Sequence, residues 1–516
     1  MEEVTGHLLR IEGINFAATL YDTNDISTIR GAGLALLEAG ATVRNTLTGL
    51  ANLNQIFVGA SQAAFVFSAD AKVAAAALAK VRKALAETRH PPLRHLMFVA
   101  DLAPLADFGT YAVEAALRAA EARNRAGQFR CYTVKLPDGE IESPGPDPFD
   151  HVSQATHDYS MQDGETRKRA SSVIDRHEFG RKQRQKFYER ADGEALLTCA
   201  SLQEIVDHPP PNLPASVKGK LAYLYADGNR FGSIRAEIGT KEFAARLEEL
   251  QTPLLQRITA WLRQGLTDND RARAAPIKET SHARFETLLW GGDEFLFVIP
   301  AWLALPVLGE LVTAMTGWKI GGRALTFAFG LVICDVKAPV RQARDTAHAL
   351  AETVKEAMGK EPRSGAAIQV YESQSLIDAP LATQRSLAFA LPRGQIDALD
   401  AKLVIAAEAL PGLASDVGRL TDEGAAQGAL SASLLHAAIM AARTSPGGLL
   451  SPDGEAAAKG VLQAAFERFG QVMPTATIAG FGERGLVLDL CLIAMLRDYC
   501  VSPWDGPQPS LSERVT

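Results

Sequence analysis

The chain has 516 residues, of which 47% are hydrophobic and 22% charged, and its net charge is −7. This length supplies about three or four domains, and the composition excludes a disordered, collagen-like or coiled-coil protein. An acidic chain has no overall field that attracts nucleic acid, so any such contact must come from a local basic patch.

The five cysteines are scattered without a CxxC pair. We therefore expect no zinc site and reduced thiols, as in a cytoplasmic protein. The N-terminus has no apolar signal-peptide region, and no apolar run is long enough to span a bilayer. These features predict a cytoplasmic location and no membrane contact.

The hydrophobic pattern of the first third predicts a strand, a helix, a hairpin, a helix and a strand, followed by one more helix and strand. The expected positions are 8–15, 25–44, 55–69, 71–87, 95–103, 112–126 and 128–134. The same order returns at 221–225, 242–263, 285–300, 301–317, 325–334, 339–359 and 367–372. Strand–helix–hairpin–helix–strand is the ferredoxin-like arrangement, and its recurrence indicates an internal repeat.

We therefore predict an α+β chain with two ferredoxin-like palm domains, the first degenerate and the second GGDEF-like, plus a C-terminal helical bundle. The first palm is expected at 1–136 and the second at 219–378. A linker without a zinc site occupies 137–218 and opens with a loop rich in Pro, Gly and Asp. Helical spacing of Ala and Leu predicts the bundle at 379–505, and 506–516 is expected to be a tail.

The linker contains a strongly basic segment, 167–190, with nine basic and three acidic residues. One interpretation is a solvated helix face. The other is a surface that contacts RNA phosphates, to which Arg181, Lys182 and Arg184 would contribute salt-dependent affinity. The sequence leaves both interpretations open.

The string WGGDEF, Trp290 to Phe295, lies at the tip of the second predicted hairpin. Gly291 and Gly292 let the backbone approach a phosphate closely, because no Cβ stands in the way. Asp293 and Glu294 place two carboxylates at the start of the outgoing strand.

Asp227 ends the first strand of the same repeat, within ADGNRFG at 226–232. In a ferredoxin-like sheet this strand neighbours the hairpin strand, so we expect Asp227 to lie near Asp293. Adjacent carboxylates repel one another unless metal neutralises them, and two Mg²⁺ ions about 3.5–4 Å apart commonly drive in-line phosphoryl transfer. Asp227, Asp293 and Glu294 are therefore the expected metal ligands and catalytic residues.

Further candidates for nucleotide binding surround these acids. Gly228 and Asn229 directly follow Asp227. Lys355, on the helix after the fourth strand, can reach a triphosphate as a point charge, with an exposed helical lysine as the alternative.

The first hairpin reads Gly59-Ala60-Ser61-Gln62-Ala63 where the second has Gly-Gly-Asp-Glu-Phe. It has no acid pair for a metal. We expect this palm to hold a nucleotide, at most, through Gly59 and Ser61.

Together these motifs resemble the large polymerase/cyclase subunit of type III CRISPR effector complexes, and the Cmr-type version is the most similar. The likeness rests on the tandem palms, ADGNRFG at 226–232, WGGDEFLFVIP at 290–300 and the stretch 330–357. Residues 172–189 resemble the segment before that family's second palm, and the helical end resembles its last domain.

The resemblance implies that the second palm joins ATP into cyclic oligoadenylate with two Mg²⁺ or Mn²⁺ ions when target RNA is bound, in antiviral defence. ATP, guide and target RNA and other effector-complex subunits are the partners that it implies. Asp227 and Asp293 would bind metal, Gly291 and Gly292 would line the triphosphate, and Glu294 takes the place of a second Asp. If the palms face each other, as in that family, the acceptor nucleotide lies on the first.

The chain departs from the family in several places. Asn229 replaces a frequent acid, the four-cysteine zinc module is missing, and we expect no HD nuclease domain before the first palm. A stand-alone relative of the family is therefore an alternative.

Two other functions compete with this interpretation. The first is a diguanylate cyclase that uses GTP, but the LTGLxN-like string at 47–54 precedes the wrong hairpin, and His282 and Phe285 replace its usual RxxD motif. The second is an inert RNA-binding scaffold subunit, against which the clustered acids argue because of their mutual repulsion.

Overall fold

The structure is a computed structural model. It describes residues 5–128, 145–273, 283–359, 363–372, 379–389, 396–421, 429–468 and 485–500, except 24, 60, 152, 161–163, 195, 197, 200, 208 and 210–212. Within these residues the predicted α+β class is confirmed, since helices cover a four-stranded and a six-stranded sheet. None of the helices so described is long and apolar enough to cross a bilayer.

The first unit is built on the four-stranded sheet. Its elements are β1 (Thr5–Ile14), α1 (Phe16–Thr19), α2 (Ile26–Thr46), β2 (Ala51–Val58), β3 (Gln62–Ala69), α3 (Ala71–Glu87), β4 (Met97–Leu105) and α4 (Thr110–Gln128). The strands pair antiparallel in the order β2-β3-β1-β4. Asp25 and Asp70 cap α2 and α3, each accepting a backbone hydrogen bond at 2.7 Å. The strand predicted at 128–134 lies outside the described residues, apart from Gln128 in α4.

The segment between the two large sheets carries a small hairpin and three helices. These are β5 (His157–Ser160), β6 (Thr166–Arg169), α5 (Ser171–Gln183), α6 (Lys186–Asp192) and α7 (Leu202–Val206). The sequence did not predict the β5–β6 hairpin.

Helix α5 crosses α2 at very short range. A Cβ on Gly31 would overlap the carbonyl oxygen of Arg176, and one on Gly180 would overlap that of Ser27. Arg176 is itself buried and bonds Asp22 at 2.7 Å. The interpretation of this segment as a solvated helix face is therefore wrong for α5, because packing on α2 buries it.

The second unit is built on the six-stranded sheet. Its elements are β7 (Lys220–Gly228), α8 (Phe231–Ile238), α9 (Thr240–Arg273), β8 (Glu286–Gly291), β9 (Glu294–Pro300), α10 (Ala304–Met315), β10 (Lys319–Ile320), β11 (Arg323–Ala324), β12 (Phe327–Asp335), α11 (Val340–Met358) and β13 (Gly365–Val370). Every residue of β7 is buried, because the strand is central and both faces of the sheet are covered.

The described part of the C-terminal region is mainly helical. It contains α12 (Leu381–Phe389), α13 (Ile396–Leu403), β14 (Ile405–Ala406), α14 (Leu410–Thr421), α15 (Ala432–Thr444), α16 (Pro452–Arg468) and α17 (Leu486–Leu496). The short β14 completes the second sheet, whose order is β14-β13-β12-β7-β9-β8.

The two large units share buried polar contacts. Arg30 of α2 forms a bidentate ion pair with Glu286 of β8, with nitrogen–oxygen distances of 2.6 and 2.5 Å. Glu114 of α4 accepts a hydrogen bond from the backbone N–H of Thr240 at 2.6 Å, which caps α9. These contacts hold the second sheet against the first unit.

Candidate active site

Asp227 lies at the end of β7, directly opposite Glu294 in the pairing with β9. The backbone N–H of Gly228 donates a hydrogen bond to the carbonyl oxygen of Asp293 at 2.9 Å. The central strand thus brings Asp227, Asp293 and Glu294 to one edge of the sheet, as the sequence predicts.

The tip of the β8–β9 hairpin is open on its outer side. Gly292 has φ +49°, a conformation that glycine adopts without steric cost, and no atom lies within 4 Å of the place where its Cβ would stand. The Gln251 side chain of α9 donates to the carbonyl oxygen of Gly292 and fixes the turn. Gly291 and Gly292 therefore leave room for a ligand beside Asp293.

The three carboxylates hold one another in a strained electrostatic state. Burial, with the charges of Asp227 and Glu294, raises the pKa of Asp293 to about 6. Burial and the Asp227 charge also raise the pKa of Glu294. Burial raises the pKa of Asp227 even though Lys355 bonds it. The site carries more negative charge than the surrounding protein neutralises.

Lys355 is the direct counter-ion of this cluster. Its Nζ lies 2.5 Å from Asp227 Oδ2 and 2.9 Å from Glu352 Oε1. Burial lowers the pKa of Lys355, but the bonds to these two carboxylates outweigh it, and the pKa is raised. Lys355 is therefore a charged site residue, and the alternative of an isolated exposed lysine does not hold.

Gly228 and Asn229 have structural roles in this arrangement. A Cβ on Gly228 would press into the ring of Phe231, at 2.6 Å. The Asn229 amide donates to Thr326 Oγ1 at 3.1 Å and to the carbonyl oxygen of Arg363 at 3.3 Å. Both residues fix the turn after β7.

Three residues beside the acids escaped the sequence analysis. The hydroxyl of Tyr225 donates to Glu294 Oε1 at 3.0 Å. His348 of α11 packs its ring 5.2 Å from that of Tyr225. Arg344, one turn earlier on α11, lies over the ring of Tyr21 of the first unit, 4.3 Å from its centroid. The spacing of Arg344, His348 and Lys355 on one helix was the available signal.

The first hairpin repeats the backbone geometry of the second. The N–H of Gly13 donates to the carbonyl oxygen of Ser61 at 2.7 Å, as Gly228 does to Asp293, and Glu12 pairs with Gln62 as Asp227 pairs with Glu294. The N–H of Gly59 is used within the turn, where it bonds the carbonyl oxygen of Gln62 at 2.7 Å. Glu12 is thus the first unit's counterpart of Asp227, which the sequence analysis missed.

The first site does not fit a metal ion. The buried guanidinium of Arg10 bonds Glu12 Oε2 at 2.6 Å and Gln62 Oε1 at 2.9 Å. The single carboxylate is therefore already balanced by a cation of the protein. Gly59 and Ser61 stand apart from the three acids of the second unit, on the other sheet.

The second site fits divalent metal by the chemistry of its donors. Carboxylate oxygens are the ligands that Mg²⁺ and Mn²⁺ prefer, and the raised pKa values report repulsion that a cation would relieve. Within the described part of the chain, no group of three or more His, Cys, Asp or Glu side chains has the spacing of a formed metal site. The acids are adjacent, with Lys355 on Asp227.

Solved structures share this architecture. The crystal structure of Csm1 in T. onnurineus matches with a TM-score of 0.57 and 13% identity, over 96% of this chain and 70% of that chain. The chain has the fold of Csm1.

Two complexes that contain Csm1 agree with this match. A Csm1–Csm4 cassette in complex with one ATP has a TM-score of 0.51 and 12% identity, over 95% of this chain and 70% of that one. The Csm1–Csm4 subcomplex of the type III-A CRISPR-Csm interference complex has a TM-score of 0.51 and 13% identity, with the same coverage. These Csm1 neighbours belong to type III CRISPR complexes, as the sequence motifs indicate, although the motifs looked most similar to the Cmr-type version. No protein-family model and no curated protein matches the sequence.

Proposed function

We propose that the chain is a nucleotidyltransferase that joins ATP into cyclic oligoadenylate by two-metal phosphoryl transfer, in an RNA-activated assembly of the CRISPR type III kind. The observation that carries this proposal is the charge of the second site. Three carboxylates, Asp227, Asp293 and Glu294, share one bonded cation, Lys355. Two Mg²⁺ or Mn²⁺ ions bound there would activate an attacking hydroxyl and hold a triphosphate.

The chain's own residues divide the remaining work. Tyr225 holds Glu294 in place through its hydroxyl. The open tip at Gly291 and Gly292 lets the backbone approach a phosphate. Lys355 can transfer its ammonium from Asp227 to a triphosphate oxygen, since its side chain remains 27% exposed.

The strand orders support the interpretation of both sheets as ferredoxin-like palms. In each, the first strand lies between the fourth strand and the second strand of the hairpin, as β4-β1-β3 and β12-β7-β9. That order results from two interleaved strand–helix–strand units. The balanced Arg10–Glu12 pair supports a first palm without metal chemistry.

The Csm1 neighbours support the choice of ATP and of protein partners. One carries ATP and both complexes contain Csm4. We therefore propose ATP as the substrate and effector-complex subunits as partners of this chain. Guide and target RNA would be the activators.

The test is to incubate the purified chain with each NTP, with Mg²⁺ or Mn²⁺, with and without RNA and partner subunits, and to identify products by mass spectrometry. We expect cyclic oligoadenylate from ATP. Asp293→Ala should remain folded and lose turnover at every ATP concentration. Near-wild-type turnover by a folded Asp293→Ala protein would contradict the metal assignment.

Two results would favour the competing functions. Cyclic di-GMP from GTP would identify a diguanylate cyclase. No product with any RNA or partner would leave a scaffold that holds RNA.

A further inference from the structure

Helix α11 presents a row of charged and polar side chains along the rim of the second site. Arg344, His348, Glu352 and Lys355 are spaced by four, four and three residues, which places them on one side of the helix, and all are partly exposed. Lys355 contacts Asp227, His348 contacts Tyr225, and Arg344 contacts Tyr21. The row therefore runs from the acids to the first unit.

The row is too long for one triphosphate. Lys355 and Arg344 are eleven residues apart, which corresponds to about 16 Å along a helix axis. A triphosphate held by Lys355 beside Asp227 cannot also reach the guanidinium of Arg344. The Arg344 end is free to serve another group.

That end carries polar atoms without partners. The Nε of Arg344 and the hydroxyl of Tyr21 are buried and have no hydrogen-bond partner among the described residues. The guanidinium lies over the Tyr21 ring and leaves its hydroxyl unpaired, while Asp345 bonds only one terminal nitrogen of Arg344, at 2.7 Å. Two unpaired donors beside a cation suit a ligand with oxygen acceptors and negative charge.

Tyr21 connects this end to the first hairpin. It lies just beyond the end of β1, where the N–H of Gly13 bonds the carbonyl oxygen of Ser61. Burial raises the pKa of Tyr21 to about 12, so its hydroxyl remains a donor. The Arg344 end thus faces the unit that lacks acids.

We propose that Arg344 and Tyr21 form a second phosphate site, which binds the phosphodiester of a linear oligoadenylate while ATP occupies the acids. The acceptor strand then lies along α11, from Tyr21 past His348 toward Asp227. This inference rests on the proposed function and adds the residues that position the acceptor.

The test is isothermal titration of the full chain with linear 5′-pApA in EDTA, where no turnover occurs. Arg344→Met should weaken binding about ten- to a hundredfold, as expected for lost hydrogen bonds to a charged group. Tyr21→Phe keeps the ring under the guanidinium and should weaken binding by about two- to tenfold. Because it removes only a hydroxyl, it also serves if Arg344→Met is poorly folded.

Two controls separate this site from the catalytic one. Arg125→Met removes an exposed arginine of α4, 72% accessible, and should leave pApA affinity unchanged. Asp293→Ala should also leave binding in EDTA intact, although it is expected to abolish turnover. Absence of pApA binding by the wild-type chain, equal losses in Arg344→Met and Arg125→Met, or wild-type affinity in both Arg344→Met and Tyr21→Phe would overturn the proposal.

Discussion

Asp293 is the residue whose charge the fold tolerates least. Its pKa lies at about 6, above the ordinary value of 3.8, because of burial and the neighbouring charges of Asp227 and Glu294. The folded chain therefore prefers the protonated form, and this preference contributes stability below pH 4 that is lost as the pH rises through 6. At neutral pH the charged side chain opposes folding.

Asp293→Asn should therefore stabilise the metal-free protein at pH 7.5, by about 1–3 kcal/mol, because it removes one of three repelling charges. The advantage over wild type should shrink as the pH falls from 7 to 4.5, where the wild-type carboxyl becomes protonated. Thermal unfolding in EDTA across this pH range measures it. A variant less stable than wild type at pH 7.5, or a difference independent of pH, would contradict this origin.

The sequence predicted the acids better than their surroundings. Asp227, Asp293 and Glu294 were accessible because a glycine-marked hairpin and the end of a strand are local signals. Glu12 and Arg10 were missed, since their importance depends on the pairing of Glu12 with Gln62. Tyr21 and Arg344 meet only when the two units pack, and no local pattern encodes that contact.

At the scale of elements, the crossing of α2 and α5 tolerates no added atom. Gly180→Ala should strongly destabilise the protein, because its Cβ would overlap the backbone oxygen of Ser27, which cannot move as a side chain can. Gly460→Ala is the matched control within α16, where no atom lies within 4 Å, and should stabilise by about 0.5–1 kcal/mol. Thermal melts of both variants test this, and equal effects would contradict the close crossing.

The basic segment narrows to a few exposed side chains. Lys182 and Lys186 line a cavity of ≈ 520 Å³ with Phe179, Gln183 and His90. Arg169 and Arg176 of the same segment are buried. RNA contact remains a prediction, and it now concerns the lysines.

Lys182→Glu with Lys186→Glu should weaken binding of single-stranded RNA and lower its salt slope by about 1–2, since each neutralised phosphate adds slightly less than one unit. Lys80→Glu with Lys83→Glu on α3 makes the same change of charge elsewhere. Fluorescence anisotropy at several salt concentrations compares the two pairs. Identical slopes for both variants would exclude the cavity as an RNA contact.

The sequence predicted the elements of both sheets closely, because strands and amphipathic helices have distinct hydrophobic periods. The predicted strand at 325–334 is found as Phe327–Asp335, and the helix expected from 339 as Val340–Met358. Helix α5 was misjudged, because Arg176 and Asp175 look solvent-exposed by composition. Their burial depends on distant partners, such as Asp22 for Arg176.

At the scale of the whole molecule, one buried ion pair ties the units together. Arg30→Met should cost about 3–5 kcal/mol, because it leaves the charge of Glu286 buried without a partner. The double variant Arg30→Met with Glu286→Leu should recover part of this loss, since no bare charge remains. Urea unfolding of the two variants provides the comparison, and a double variant at least as unstable as the single one would refute it.

The same contact decides where the chain can be cut. A fragment that begins at residue 219 would keep every acid of the second site, yet it would lose Arg30 and leave Glu286 bare. It would also lose Phe187, whose ring packs 5.9 Å from that of Trp290. Both losses fall on β8, the edge strand that carries Gly291 to the tip. The second palm is therefore not a portable module, and truncated or fused versions need the first unit as their structural support.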